Sequence, residues 1–257
     1  IFWFEYLHRM LGRLIGIMFF VPLMVFLYLG KVKPGLRPHL FLLLFLGGCQ
    51  GFMGWYMVKS GLVDRPDVSQ YRLTAHLGLA IAIYGYIAWL AIGLFSPNRY
   101  PRKDVGWGFF SVIALVYVMI LSGGFVAGTN AGLSFPTWPL MGDSFFPPAL
   151  YSAGWVSAFE QVTTIHFNHR MLAYITGAVV VTAAVRGLMT SADQRLRLAS
   201  ILMLVAVCFQ IVLGISTVLS HVHIPIAAGH QSGAVLLLTT VLFWTQSCVT
   251  AEQERLT

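Results

Sequence analysis

Residues 165–188 read IHFNHRMLAYITGAVVVTAAVRGL, a pattern typical of a membrane-spanning helix that carries polar side chains near one end. The stretch contains no acidic residue, and about 20 such residues are enough to cross the hydrocarbon core of a bilayer. Charged residues make up only 10% of the chain and hydrophobic residues 58%, whereas soluble domains have about 25% charged residues. The composition therefore predicts a polytopic membrane protein.

Six further stretches share this pattern, so seven membrane-spanning helices are predicted, over residues 6–29, 39–58, 73–95, 106–127, 165–188, 197–219 and 225–248. Proline, glycine and charged residues separate them, as is usual for loops. The net charge of +7 comes from basic residues in the short loops. The loops after the first, third and fifth stretches are basic, which is typical of the cytoplasmic or matrix side of a membrane. The charge therefore does not indicate a nucleic-acid partner.

The segment between the fourth and fifth stretches, residues 128–161, has no lysine or arginine. It is predicted to face outward, with Ile1 outside and the C-terminus inside. Its prolines and aromatic residues would leave backbone groups unsatisfied in lipid. We expect this outer loop to lie as a lid at the outer interface, although an interfacial aromatic belt would have the same composition.

An internal duplication is visible in three places. LHRMLG at residues 7–12 resembles NHRMLA at 168–173, and Ala75-His76 resembles Gly229-His230. The second and sixth stretches also match, since Gln50, Gly54, Val58 and Ser60 correspond to Gln210, Gly214, Val218 and Ser220. Matches that keep their order along the chain indicate a repeated structural unit.

The fourth stretch precedes the second copy and has no counterpart before the first. A duplicated four-helix unit therefore predicts one more helix before Ile1, so that the chain would be a fragment of a protein with eight spans. The predicted fold is all-α, a polytopic transmembrane bundle of two pseudo-symmetric four-helix halves. Residues 1–96 would form the N-terminal half with three helices, 97–105 a linker on the basic side, and 106–257 the C-terminal half.

Four histidines lie at the outer ends of the first, third, fifth and seventh predicted helices, two in each half: His8, His76, His169 and His230. Ligating residues inside a membrane are costly and default to functional candidates. Two imidazoles at one depth in a helix bundle can hold a haem iron from both sides. A zinc site is less favoured, since zinc needs three or four convergent ligands. A hydrogen-bonded interfacial histidine is the structural alternative for each position.

Three arginines lie near these histidines, and they are candidates to pair with haem propionates: Arg9, Arg72 and Arg170. Snorkelling to the interface is the alternative explanation for them. Glycines and a serine recur on the second and fourth stretches: Gly47, Gly48, Gly51, Gly54, Ser122, Gly123, Gly124 and Gly128. Small residues allow close approach either of a flat macrocycle or of a neighbouring helix.

Glu5 lies three positions before His8, so both side chains are expected on one helical face. A carboxylate beside a haem edge can take up or deliver protons. Its alternative role is to interact with the dipole at a helix start. His166 occupies the matching position in the second half, so the two halves are predicted to be chemically unequal, the first reactive and the second a plain cofactor site.

The chain resembles the haem A synthase family, of the Cox15/CtaA type. The matching segments extend nearly end to end, and the most specific are EYLHR at 5–9, GWYMVKSGL at 54–62, SQYRLTAHL at 69–77, SGGFVAG at 122–128, FNHR at 167–170 and AGHQSG at 228–233. The chain departs from the family pattern at Gln161-Val162, where Asn-Pro is common, and at His166, where glutamine is common. The outer loop also lacks the cysteine pair of some bacterial relatives.

The resemblance implies eight spans and the conversion of haem O to haem A, by oxidation of a ring methyl to a formyl group. By this likeness His169 and His230 would hold a permanent haem b. His8 and His76 would hold the substrate or product haem, with Glu5 at the reaction centre. Haem O synthase is the expected supplier of haem O. The electron donor is not identified from the sequence, and a homo-oligomer stays open.

The expected location is the bacterial inner membrane, with the ligand histidines near the outer face, and the mitochondrial inner membrane is the alternative. Two other functions are compatible with the histidines. A two-haem b-type electron-transfer cytochrome would keep its function after Glu5→Ala. A transporter with histidines in a proton path would bind no chromophore.

Overall fold

A computed structural model describes residues 2–59, 68–96, 99–101 and 108–252, although the side chains of residues 2, 4, 5, 99–101, 251 and 252 lie outside the description. The chain forms eight α-helices in this part: α1 Phe2–Tyr28, α2 Arg37–Val58, α3 Gln70–Leu94, α4 Gly108–Gly128, α5 Ser157–Glu160, α6 Val162–Thr190, α7 Gln194–Leu219 and α8 Ile224–Val249. All except α5 are long and apolar enough to cross a membrane. The prediction of a polytopic helical membrane protein with seven spans is confirmed.

The helix ends follow local rules. Gly30 ends α1 with a φ of 65°, and its N–H and that of Lys31 donate to the carbonyls of Leu27 and Phe26. This is the Schellman motif, which needs a left-handed residue that glycine adopts at little cost. At α7 the Asp193 side chain accepts a hydrogen bond of 2.8 Å from the backbone N–H of Arg195. Both ends are readable from the sequence.

The chain divides into two compact units, Ile1–Val68 and Ser69–Thr257. The first contains α1, a short 3-10 helix at Pro34–Leu36, and α2, which packs against α1. This boundary differs from the one predicted from the duplication, because α3 packs on α4 and α8 and so falls in the second unit. The division into halves at 97–105 rests on the repeat and stays a prediction.

In the second unit α4, α6, α7 and α8 form a ring in which each helix packs against two neighbours. Its core includes Val180, Met203 and Val241, which are fully buried. Lipid tails are as apolar as these side chains, so association depends on close packing. Gly187 is such a contact, since an added Cβ would lie 3.0 Å from Trp244 Nε1 and collide with Ser200.

The same packing explains two of the small residues singled out in the sequence. A Cβ on Gly128 would lie 2.9 Å from the Gln70 Cα, and one on Gly124 would lie 2.9 Å from Thr74 Oγ1. These two glycines therefore allow α3 to approach α4. Helix packing, the structural alternative, accounts for both.

The end of this unit opposite the histidines is tied by polar contacts. The Arg195 guanidinium donates to Ser96 Oγ and to Gln246 Oε1, and Gln246 Nε2 donates to the Trp89 carbonyl at 3.0 Å. These bonds join α3, α7 and α8. Nearby, strand β1 (Arg99–Pro101) pairs antiparallel with strand β2 (Thr250–Glu252).

Candidate functional site

His169 and His230 lie on α6 and α8, the diagonal partners of the helix ring, near the end of the bundle that meets the outer loop. Both helices belong to the ring, so both imidazoles lie in the same bundle. Among the described residues, no group bonds Nε2 of either ring, and no cluster of three or more His, Cys, Asp or Glu side chains could form a metal site. The pair predicted from the duplication is thus brought together inside one bundle, while its ligand role stays a prediction.

The His169 ring is oriented by α4. Its Nδ1 lies 2.7 Å from Ser122 Oγ, and the Ser122 hydroxyl donates to the Met119 carbonyl at 2.7 Å. Because that hydroxyl has one proton, Ser122 accepts from Nδ1–H in this arrangement. Nε2 is then left with its lone pair, which is the tautomer that a metal ligand needs. Gly123 lies under the ring, since an added Cβ would be 3.4 Å from His169 Cε1.

The His230 ring lies over a glycine of α7. A Cβ on Gly214 would be only 2.9 Å from His230 Cε1, so a side chain there would displace the imidazole. One turn away, Gln210 Nε2 donates to the His230 carbonyl at 3.0 Å. Gly233 makes room for the same glutamine, since a Cβ would collide with Gln210 Oε1. Gly123 on α4 and Gly214 on α7 therefore leave room for the imidazoles, in addition to the role of small residues in helix packing.

The residues predicted for the first half are spread over both units. His8 and Arg9 lie on α1 in the first unit, whereas Arg72 and His76 lie on α3 in the second. Glu5 is part of α1, and its side chain lies outside the described residues. The pairing of His8 with His76, and the roles of Glu5, Arg9 and Arg72, stay predictions.

Arg170 is 7% exposed and its guanidinium is held by three hydrogen bonds. Nε donates to His166 Nε2 at 3.1 Å, and the two terminal nitrogens donate to the Leu140 and Phe135 carbonyls at 3.2 and 2.8 Å. These bonds use three of its five N–H groups. They explain its burial near the membrane interface better than snorkelling does, and they do not test the prediction of a haem propionate.

The outer loop packs on the outer turns of α6. The Phe146 ring contacts the Phe167 ring in a tilted arrangement, with ring centroids 5.7 Å apart, and the Tyr151 hydroxyl donates to Asn168 Oδ1 at 3.0 Å. At one of the positions that depart from the family pattern, Gln161 Nε2 donates to the Ala149 carbonyl at 2.8 Å. The segment contains only short helical turns and lies over the helix that carries His169, which agrees with a lid.

A second contact joins the outer loop to α3. The Glu160 carboxylate accepts a hydrogen bond of 2.5 Å from the Tyr71 hydroxyl and one of 3.2 Å from Gln70 Nε2. Neither this contact nor the bonds of Ser122, Gln210 and His166 was predicted. The repeat offered one signal, because Gln210 and Gly214 have counterparts in Gln50 and Gly54.

If His169 is a haem ligand, as the duplication predicts, replacing Ser122 by alanine should weaken haem binding by about 10- to 100-fold, since the partners of ligand histidines are worth that much. The measurement is the rate of haem transfer from the purified protein to apomyoglobin. Ser111→Ala is the matched control, because that exposed α4 hydroxyl bonds only the Gly108 carbonyl. Equal haem loss from the two variants would show that Ser122 does not orient the ligand.

The bundle and its half-buried histidine pair define a class, the multi-pass helical membrane proteins whose polar site lies between helices near one end of the bundle. A family model described as "COX15-CtaA: Cytochrome oxidase assembly protein" matches residues 1–242. The chain belongs to this family.

Its relatives include proteins named heme A synthase in three bacteria. The one from Nitrosospira multiformis is 46% identical over 250 residues, which is 95% of this chain and 70% of the relative. The one from Rhodospirillum centenum is 42% identical over 95% of this chain and 67% of the relative. The one from Nitrosomonas eutropha is 41% identical over 95% of this chain and 70% of the relative.

Proposed function

We propose that the protein is a haem A synthase, a membrane oxidoreductase that converts a ring methyl of haem O to a formyl group and so provides haem A for terminal oxidases. The observation that supports this most is the His169–His230 pair inside one bundle, in a chain whose relatives bear that name. The membrane-spanning helices and the relatives named heme A synthase support this proposal.

The residues around the pair fit a haem. Nε2 of each imidazole has no partner among the described residues, and Ser122 sets the tautomer of His169. Arg170 is buried, and no carboxylate of the described residues neutralises it. A buried cation without an anion is costly, and a haem propionate would supply that anion. We therefore assign haem b to His169 and His230, with Arg170 beside it, where the haem would supply one-electron redox chemistry.

For the first half we propose that His8 and His76 hold the haem O that becomes haem A, with Arg9 and Arg72 near its propionates. Glu5, one turn from His8 on α1, would take up or deliver protons at its carboxylate. His166 replaces this carboxylate in the second half, where both of its nitrogens are hydrogen-bonded. This inequality of the halves supports one reacting site and one permanent cofactor.

The location follows from loop charge and from the bacterial relatives. We propose the bacterial inner membrane, with the histidines near the outer face, and two pseudo-symmetric halves, residues 1–96 and 106–257, on either side of the linker 97–105. Haem O would come from a haem O synthase in the same membrane. The electron donor and an assembly of several copies are left unassigned by these residues.

The test is expression with and without a haem O synthase, followed by extraction of the pigments and their identification by mass. We expect haem b in both cases and haem A only when haem O is supplied. Haem b alone in the presence of haem O would reject the synthase and favour an electron-transfer cytochrome. A protein without any pigment would favour a transporter.

A further inference from the structure

We propose that His166 is a positioning residue, which fixes the Arg170 guanidinium and the outer loop at the edge of the His169 site. This rests on the proposed haem at His169 and His230, and it adds a role for a histidine that is not a ligand. His166 is 2% exposed and lies one helical turn before His169 on α6. Nothing in the ligand scheme requires a third histidine there.

The hydrogen bonds around His166 have one consistent direction. Arg170 can only donate, so His166 Nε2 accepts at 3.1 Å. Nδ1 lies 3.2 Å from Ser134 Oγ, and the Ser134 hydroxyl donates to the Ala131 carbonyl at 2.6 Å. His166 is therefore neutral with its proton on Nδ1, which donates to Ser134. Both ring nitrogens are used, so His166 cannot compete with His169 for the iron.

This network closes the loop around the arginine. Arg170 donates to the carbonyls of Phe135 and Leu140, and His166 donates to Ser134, so residues 134–140 are attached to α6 at three points. The Phe135 ring also lies 6.3 Å from the His166 ring. Loss of His166 would remove the acceptor of Arg170 Nε inside a buried site, and an unmet buried donor is destabilising. Arg170 would then turn toward water and the loop would loosen.

A fixed buried cation next to a haem favours the reduced form, because that form carries less positive charge. We therefore expect the network to raise the midpoint potential of the haem at His169. Its loss would lower that potential in two ways, through the movement of Arg170 and through entry of water under the loop. The network therefore affects two quantities that can be measured independently, the mobility of the outer loop and the midpoint potential of the haem at His169.

The experiment compares His166→Leu with His166→Gln in the full protein in lipid nanodiscs. Backbone hydrogen exchange of residues 134–141 and the midpoint potential of the haem at His169 are measured. In His166→Leu we expect loop exchange about 10-fold faster or more, as for a lost buried hydrogen bond, and a lower potential. Glutamine keeps an acceptor and a donor, so His166→Gln should stay close to the wild type. His223→Leu, at an exposed position in the turn between α7 and α8, is the control.

Unchanged loop exchange in His166→Leu would overturn the proposal. Faster exchange with an unchanged potential would overturn the positioning role. If His166→Leu does not fold, Ser134→Ala is used instead, because it removes the loop end of the network at an exposed residue. Unchanged loop exchange or an unchanged midpoint potential in that variant would overturn the proposal in the same way. The synthase proposal fails in a different way. If the wild-type protein binds haem b but forms no haem A, the synthase proposal is rejected, while loop exchange and the midpoint potential still test the role of His166.

Discussion

Glu5→Gln is expected to lower the rate of haem A formation by about 100-fold or more, while both haems stay bound. A positioned acid or base contributes about 10²- to 10⁴-fold to a proton transfer, and glutamine keeps the size of the side chain without its titrating group. The measurement is the rate of haem A formation in membranes supplied with haem O, with haem content measured in the same sample.

Asp143→Asn is the matched control, because it removes a carboxylate from an exposed position of the outer loop. It should leave the rate within about 2-fold of the wild type, as expected for a surface substitution. A Glu5→Gln protein that forms haem A as fast as Asp143→Asn would show that Glu5 is only a residue near a helix start.

The second large effect is expected from a single methyl group. Gly214→Ala places a Cβ 2.9 Å from His230 Cε1, so the imidazole has to move. Functional constellations tolerate displacements of only about 0.5 Å. We expect the haem-to-protein ratio to fall by about half, because one of the two proposed sites would be lost.

Gly229→Ala provides the comparison on the neighbouring helix. Its Cβ would meet Leu213 Cδ2 at 3.8 Å, an ordinary van der Waals contact. It should bind as much haem as the wild type, and alanine is a better helix former than glycine. If both variants keep a full haem complement, the position of His230 over Gly214 has no part in cofactor binding.

The long helices and the second histidine pair were predictable because each depends on short-range information. A spanning helix needs about 20 apolar residues in sequence, and the duplication aligned NHRMLA with LHRMLG and Gly229-His230 with Ala75-His76. The prolines and missing basic residues of residues 128–161 indicated an irregular segment between two long helices, whereas its role as a lid stays a prediction. These features need no knowledge of what packs against them.

The contacts of the site depend on pairs far apart in the chain. Ser122 meets His169 because α4 packs on α6, and Ser134 meets His166 only after the outer loop has folded back. The sequence predicted Arg170 as a partner of a haem propionate, with snorkelling as the alternative, but it did not show that the guanidinium donates to two carbonyls 30 and 35 residues away. The repeat pattern also did not predict the boundary between the compact units. By the repeat α3 belongs to the first copy, but it packs on α4 and α8 of the second.

The most direct measurement of the central claim, that the two histidine pairs have different tasks, is the mass of the haem retained by His8→Ala and by His169→Ala. Both proteins are purified from cells that also make haem O synthase. We predict that His8→Ala keeps haem b and contains neither haem O nor haem A, whereas His169→Ala lacks haem b. Haem A retained by His8→Ala, or the same haem in both variants, would contradict it.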